Sequence, residues 1–182
     1  MIDPVEYLDV FSYEGIGIRR GARLRLAARA PDEKVTTLLS ELGIPQQLGN
    51  DLFFHDISKG IKTLKEAREE AGGESRSNLD DLLYLGAGTH SGVILLDGST
   101  GEVFSWNDES TERINTHLQF FIDFICKIQK QINDFEETES SPAPSFDDFL
   151  QGFLMNLAST DSGAPTQTNG YWDQMLRSIF DA

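Results

Sequence analysis

Val-Ile-Leu-Leu-Asp-Gly-Ser-Thr-Gly-Glu-Val-Phe-Ser-Trp, Val93 to Trp106, sets two β-prone runs on either side of an Asp-Gly-Ser-Thr-Gly turn. The stretch reads as a β-hairpin. Gly98 and Gly101 are expected to supply the positive φ of a tight reversal, with Asp97 and Ser99 bonding back to the turn's own amides. A hairpin by itself performs no chemistry, so its weight is architectural.

Working outward, Leu82 to Leu85, Ser91 to Leu96 and Glu102 to Trp106 are three short runs separated by Gly86-Ala87-Gly88 and by the turn, as in an antiparallel meander. After Asn107-Asp108-Glu109-Ser110 the apolar period changes from two to about 3.6. Ile114, Leu118, Phe121, Ile125, Ile128 and Ile132 then share one stripe, predicting a long helix over 110–135, with Asp108, Glu109 and Ser110 helping to begin it. Residues 136–145, acidic and containing two prolines, read as a linker. Residues 146–182 read as C-terminal helices packing on the core, the last one carrying Tyr171, Trp172, Met175, Leu176, Ile179 and Phe180. Trp172 is expected to dock that helix.

Upstream, Pro31-Asp32 is a helix start, with Val35, Leu38, Leu39 and Leu42 at helical spacing and Gly43-Ile44-Pro45 as the stop. Leu52-Phe53-Phe54 is a short strand, and 61–71 an exposed helix. The segment up to Ala30 has no clear period, and its type stays open. Together these readings give an α+β fold: an antiparallel β-meander sheet packed with helices, in a single domain whose core is 1–135.

The 182 residues carry 30 acidic and 15 basic side chains, a formal charge of -15. That balance disfavours direct contact with nucleic acid or an anionic membrane and suits a basic partner. The charge is uneven. Arg19, Arg20, Arg23, Arg25 and Arg29 lie in a segment without a carboxylate, read as covering an acidic face of the same fold. From Glu102 onward, 14 acidic residues face four basic ones. No apolar run is long enough to span a bilayer, and the first residues are acidic, so a cytoplasmic protein is expected.

Chemistry-bearing residues are few. Cys126, the one cysteine, sits among Phe124, Ile125 and Ile128 and reads as a buried, inert thiol. His55, His90 and His117 occupy no catalytic or metal-binding motif. The Gly86 to Gly92 stretch lacks the Lys-Ser/Thr ending of a phosphate loop and reads as a β-turn. The expectation is therefore no catalytic residue, no metal and no cofactor.

Several features, taken in order, resemble the SUKH superfamily of bacterial immunity proteins, and most of all its fourth clade. They are Leu-Gly-Ile-Pro at Leu42 to Pro45, Leu52-Phe53-Phe54, Leu85-Gly86, Ile94-Leu95-Leu96-Asp97, Thr100-Gly101-Glu102-Val103-Phe104, and Asn115 to Phe120. The pattern runs from about residue 36 to 128, and the terminal Trp172-bearing helix is similar in kind. Phe104 stands where an indole is common, and the acidic linker is long.

The resemblance implies a non-catalytic immunity protein that binds and neutralises a polymorphic toxin domain, a nuclease or a nucleic-acid deaminase, through an acidic surface. An alternative within the same resemblance is a general protein-interaction module of the cell-wall-regulator type, with no toxin partner. Candidate contact residues are Asp80 and Asp81 before the meander, and Asp108 and Glu109 after it.

Overall fold

The Val93–Trp106 hairpin lies within a seven-stranded antiparallel sheet in the computed structural model, which describes residues 3–73, 78–89, 92–107, 110–137 and 146–180. Helix α1 (Pro4–Ser12) starts because Asp3 accepts the Val5 amide at 2.9 Å and Pro4 fits the first helical turn. Strand β1 (Ile18–Arg19) and helix α2 (Arg23–Ala27) follow, so the segment of open type contains both structures. Helix α3 (Glu33–Thr37) begins where Pro31-Asp32 places it, the Asp32 carboxylate accepting the Val35 amide at 2.9 Å. It continues as a π turn over Leu38–Leu42, closed by the Gly43 amide on the Leu38 carbonyl at 2.8 Å. Gly43, at φ 84°, ends it.

Next come β2 (Ile44–Pro45), paired with β1, then β3 (Gln47–Leu48) and β4 (Leu52–Phe54), then β5 (Lys62–Thr63) and α4 (Leu64–Glu70). A reciprocal Thr63–Glu66 capping box starts α4. The meander is β6 (Leu83–Gly88), β7 (Gly92–Leu96), β8 (Val103–Trp106) and β9 (Thr111–Asn115), followed by α5 (Leu118–Glu137), α6 (Phe146–Thr160) and α7 (Tyr171–Phe180). The sheet order is β3-β4-β6-β7-β8-β9, with β5 also beside β6. The α+β reading of the sequence is therefore what the chain adopts. Among the described residues, no helix is long and apolar enough to cross a membrane.

Three local expectations are corrected. Gly86-Ala87-Gly88 is strand rather than turn: β6 bulges at Leu85, releasing that carbonyl to the His55 amide at 2.7 Å. A β-carbon on Gly86 would overlap the Phe53 carbonyl across the β4 pairing, so this strand position requires glycine. Residues 111–115 form β9, and the long helix starts only at Leu118. Pairing along β8 supplies backbone hydrogen bonds that a lone helical turn would forgo, and Ile114 happens to satisfy the strand and the helical stripe alike. Gly98 is not at positive φ; only Gly101 is, at 78°. Gly98 is needed for space, since a β-carbon there would lie 2.7 Å from the Arg29 carbonyl oxygen.

Within the turn, Asp97 Oδ1 accepts the Ser99 amide at 2.7 Å, the Ser99 hydroxyl at 2.6 Å and the Thr100 amide at 3.2 Å. Burial opposes ionisation of Asp97, but these donors outweigh it and hold the carboxyl below its usual range.

One sheet face carries Leu83, Ile94, Leu96 and Val103 into a single core shared with α1, α5, α6 and α7. From α5 come Phe121, Ile122, Phe124, Ile125 and Ile128; from the C-terminal helices come Leu150, Leu157, Trp172 and Leu176. Cys126 is buried there, its thiol pushed up to about 12 by burial and then by Glu6 and Asp123, which keeps it protonated.

His117 caps α5: its Nδ1 accepts the Gln119 amide at 3.2 Å, a bond that requires the neutral ring with its hydrogen on Nε2. Burial holds this imidazole below its ordinary range, with Asp32 pulling the other way. The unfolded chain thus takes up the proton at the usual histidine pKa, and the folded chain only at a lower pH. Stability is therefore full above the usual value and declines as pH falls from there toward the folded one. The urea midpoint is expected to drop as pH falls below the ordinary histidine range, less steeply in His117→Asn, which keeps a cap but removes the titration. Equal slopes for the two proteins would refute this.

Candidate partner-binding surface

The sheet's other face is defined by register. Tyr84, Leu95, Phe104 and Arg113 lie in one cross-strand row; Phe53, Ala87, Val93, Trp106 and Thr111 lie in the next. Leu95 is buried yet outside the main core cluster, as is Leu64 of α4. Helix α4 lies over part of this face, where its Arg68 meets Trp106. Beyond it the aromatic side chains reach solvent: Phe53 is 53% exposed, and Tyr84, Phe104 and Trp106 are half-buried.

On this face the Arg68 guanidinium lies 4.4 Å from the Trp106 ring centroid, and Arg68 Nη1 lies 3.7 Å from Asp80 Oδ1. The aromatic quadrupole and the carboxylate hold one cation between them. Asp80 thus orients Arg68, while Asp81 next to it is exposed. Asp108 and Glu109 lie outside the described residues, and so does His90.

Toward the β9 edge, Arg113 donates to Glu102 Oε1 at 2.7 Å. That pair lines a hollow of about 650 Å³ with Phe104 and the 162–167 loop. Aromatic rings and an arginine on a shallow face are the composition of protein-binding hot spots, and the carboxylates beside them suit a polar rim.

The arginine segment does cover carboxylates of its own fold. Arg29 makes a two-pronged contact with Glu66 at 2.7 and 3.0 Å, and Arg23 reaches Glu33 at 3.5 Å and Glu41 at 3.4 Å. The Arg29 hydrogen bonds are the main reason the Glu66 carboxyl is held below its usual range.

Histidine and acid chemistry is dispersed. The His55 ring lies 5.8 Å from that of Tyr84, Asp56 instead accepts from Ser58 at 2.5 and 3.1 Å, and His117 serves α5. Among the described residues, no group of three or more His, Cys, Asp or Glu side chains is placed to hold a metal ion.

Sequence reasoning named Asp80 and Asp81 as candidates but not Arg68 and Trp106, which lie 38 positions apart and meet only through the packing of α4 on the sheet. An amphipathic reading of α4 was the one available signal.

Neither a curated protein nor a solved structure gives a significant match to this chain. A family model does, over residues 17–178, from β1 almost to the end of α7, and its description is SUKH-4 immunity protein. Immunity families of this kind are generally non-catalytic and imply a toxin protein as partner. The matched span takes in the whole sheet, α2 through α6 and most of α7, so the chain belongs to the SUKH-4 immunity protein family.

Proposed function

We propose that this protein neutralises a toxin domain by forming a non-catalytic complex with it in the cytoplasm, through the outer sheet face and the carboxylates around it. The family match over residues 17–178 carries the toxin partner. The -15 charge supports a basic one, such as a nuclease or deaminase whose arginines and lysines normally meet phosphate. Trp106 and Phe53 act as apolar anchors, while Asp81, Asp108 and Glu109 steer the encounter. Asp80 acts through Arg68, holding it over the indole.

The test is co-expression with the neighbouring toxin gene, followed by co-purification. Rescue of growth and recovery of a stoichiometric complex are expected. Trp106→Ala is expected to weaken toxin affinity by about 30-fold, in line with a loss of about 2 kcal/mol at an interface hot spot. Charge reversal at Asp108 and Glu109 should mainly slow association and lessen its salt dependence. Failure to rescue and to co-purify would sink the toxin reading; undiminished affinity in Trp106→Ala would move the contact off this face.

A further inference from the structure

The most exposed large apolar side chains are concentrated near one end of the chain. Val5, Leu8, Tyr13 and Leu24 lie on or near α1 and α2, against Phe53 and Met155 elsewhere among the described residues. Leu24 is 89% exposed and stands between Arg23 and Arg25. An isolated leucine on a surface is ordinary, but this one lies beside a place that fits it.

Pro4, Thr37, Leu38 and Leu42 line a groove of about 780 Å³, and its charged lining is Glu33 and Glu41 with one cation, Lys34. The π turn forms one wall, and it is pinned from outside: the Gly21 amide donates to the Leu39 carbonyl at 3.1 Å and Arg20 Nε to the Glu41 carbonyl at 2.7 Å. Because Arg23 reaches both Glu33 and Glu41, α2, which carries the exposed Leu24, borders this same groove.

Charge divides in the same way. The 19–29 segment has five arginines and no carboxylate, whereas the 3–12 segment has Asp3, Glu6 and Asp9 and no basic residue. A protruding leucine set among arginines, next to an apolar groove whose charged lining is acidic on balance, with two glutamates to one lysine, is complementary to a rotated copy of itself. A two-fold symmetric interface requires that self-complementarity within one patch.

We propose that this chain forms a two-fold dimer in which Leu24 of each copy enters the groove between α1 and the π turn of the other. The arginines of each α2 then face the carboxylates of the other copy's α1. Because α1 packs on α5, the contact lies on the helical side of the molecule and leaves the outer sheet face open. The dimer does not depend on the toxin reading.

Sedimentation velocity from about 5 to about 200 µM protein tests the proposal, since dimer population follows mass action. The wild-type chain is expected to reach twice its 20.3 kDa mass, at lower concentration in low salt than in high. Leu24→Asp should weaken association at least about tenfold while leaving the thermal midpoint unchanged, because an exposed side chain contributes little to folding. Glu33→Arg, on the groove side and 88% exposed, should weaken it independently. A wild-type chain that stays at 20.3 kDa overturns the proposal, and so does a dimer indifferent to both substitutions. Protection of the groove from hydrogen exchange only when a toxin domain is bound would assign it to that partner, and overturns the proposal too.

Discussion

Replacing Trp172 by alanine is expected to lower the folding free energy by about 3 to 5 kcal/mol, the range for truncating a fully buried large aromatic side chain. Trp172 is completely buried, with ring centroids 5.0 Å from Phe124 and 6.0 Å from Phe121. Its Nε1 also donates to the Ile114 carbonyl at 3.0 Å. Ile114 is the residue of β9 with no register partner on β8, so the indole satisfies a carbonyl at an irregularity of the sheet edge.

One side chain therefore joins α7 to α5 by packing and to β9 by a hydrogen bond. In a chain of this size the loss should lower the thermal midpoint by roughly 10 to 15 °C. Trp172→Phe should cost less, since it keeps most of the burial and gives up the hydrogen bond. A denaturation midpoint shift in Trp172→Ala corresponding to under about 1 kcal/mol would show that α7 contributes little to the cooperative fold.

Asp161→Ala is expected to cost about 3 kcal/mol, because removing a buried acceptor leaves several donors unsatisfied at once. Asp161 follows α6 and is buried. Oδ2 accepts from Asn115 Nδ2 at 3.2 Å and the Thr116 amide at 2.8 Å; Oδ1 accepts from Thr116 Oγ1 at 2.8 Å and the Gly163 amide at 3.1 Å. A carboxylate just past a helix C-terminus meets an unfavourable dipole, so these four donors are what make the position tolerable.

Asp161→Asn should recover only part of the loss, since its amide nitrogen offers a donor where a donor already points. Equilibrium urea unfolding of the two variants checks the order. An Asn variant less stable than the Ala variant would contradict the account.

The parts of the fold readable from sequence were those set by residues close together in the chain. Asp32 at the start of α3, Gly43 at its end and the Asp97 turn are local hydrogen-bond and backbone problems, solved within a few residues. Gly98 shows the limit of that reading. Its place in the turn suggested positive φ, whereas its lack of a β-carbon is required by a carbonyl of Arg29, nearly 70 positions earlier.

Strand β9 shows the same limit, because Ile114 is apolar at a spacing that serves the helix stripe as well. The choice was made by the open backbone edge of β8 and by Trp172, neither of which a local window contains. On the outer sheet face, Asp80 was legible as a carboxylate before a strand, but its ion pair with Arg68 over Trp106 was not.

By itself the sequence determined that this chain folds as an α+β domain around a hairpin at Val93 to Trp106, carries excess acid, and follows the order of features found in SUKH-type immunity proteins. Turn chemistry, apolar period and composition are properties of neighbouring residues or of totals, and both survive being read in one dimension. Only the tertiary structure decided which sheet face α4 covers in part, that Arg68 rests on Trp106, that Asp161 locks α6 to β9, and that α2, which carries Leu24, borders a groove lined by Glu33, Lys34 and Glu41. Each of these depends on burial or on a bond between residues distant in sequence, and that free energy exists only once the chain has closed on itself.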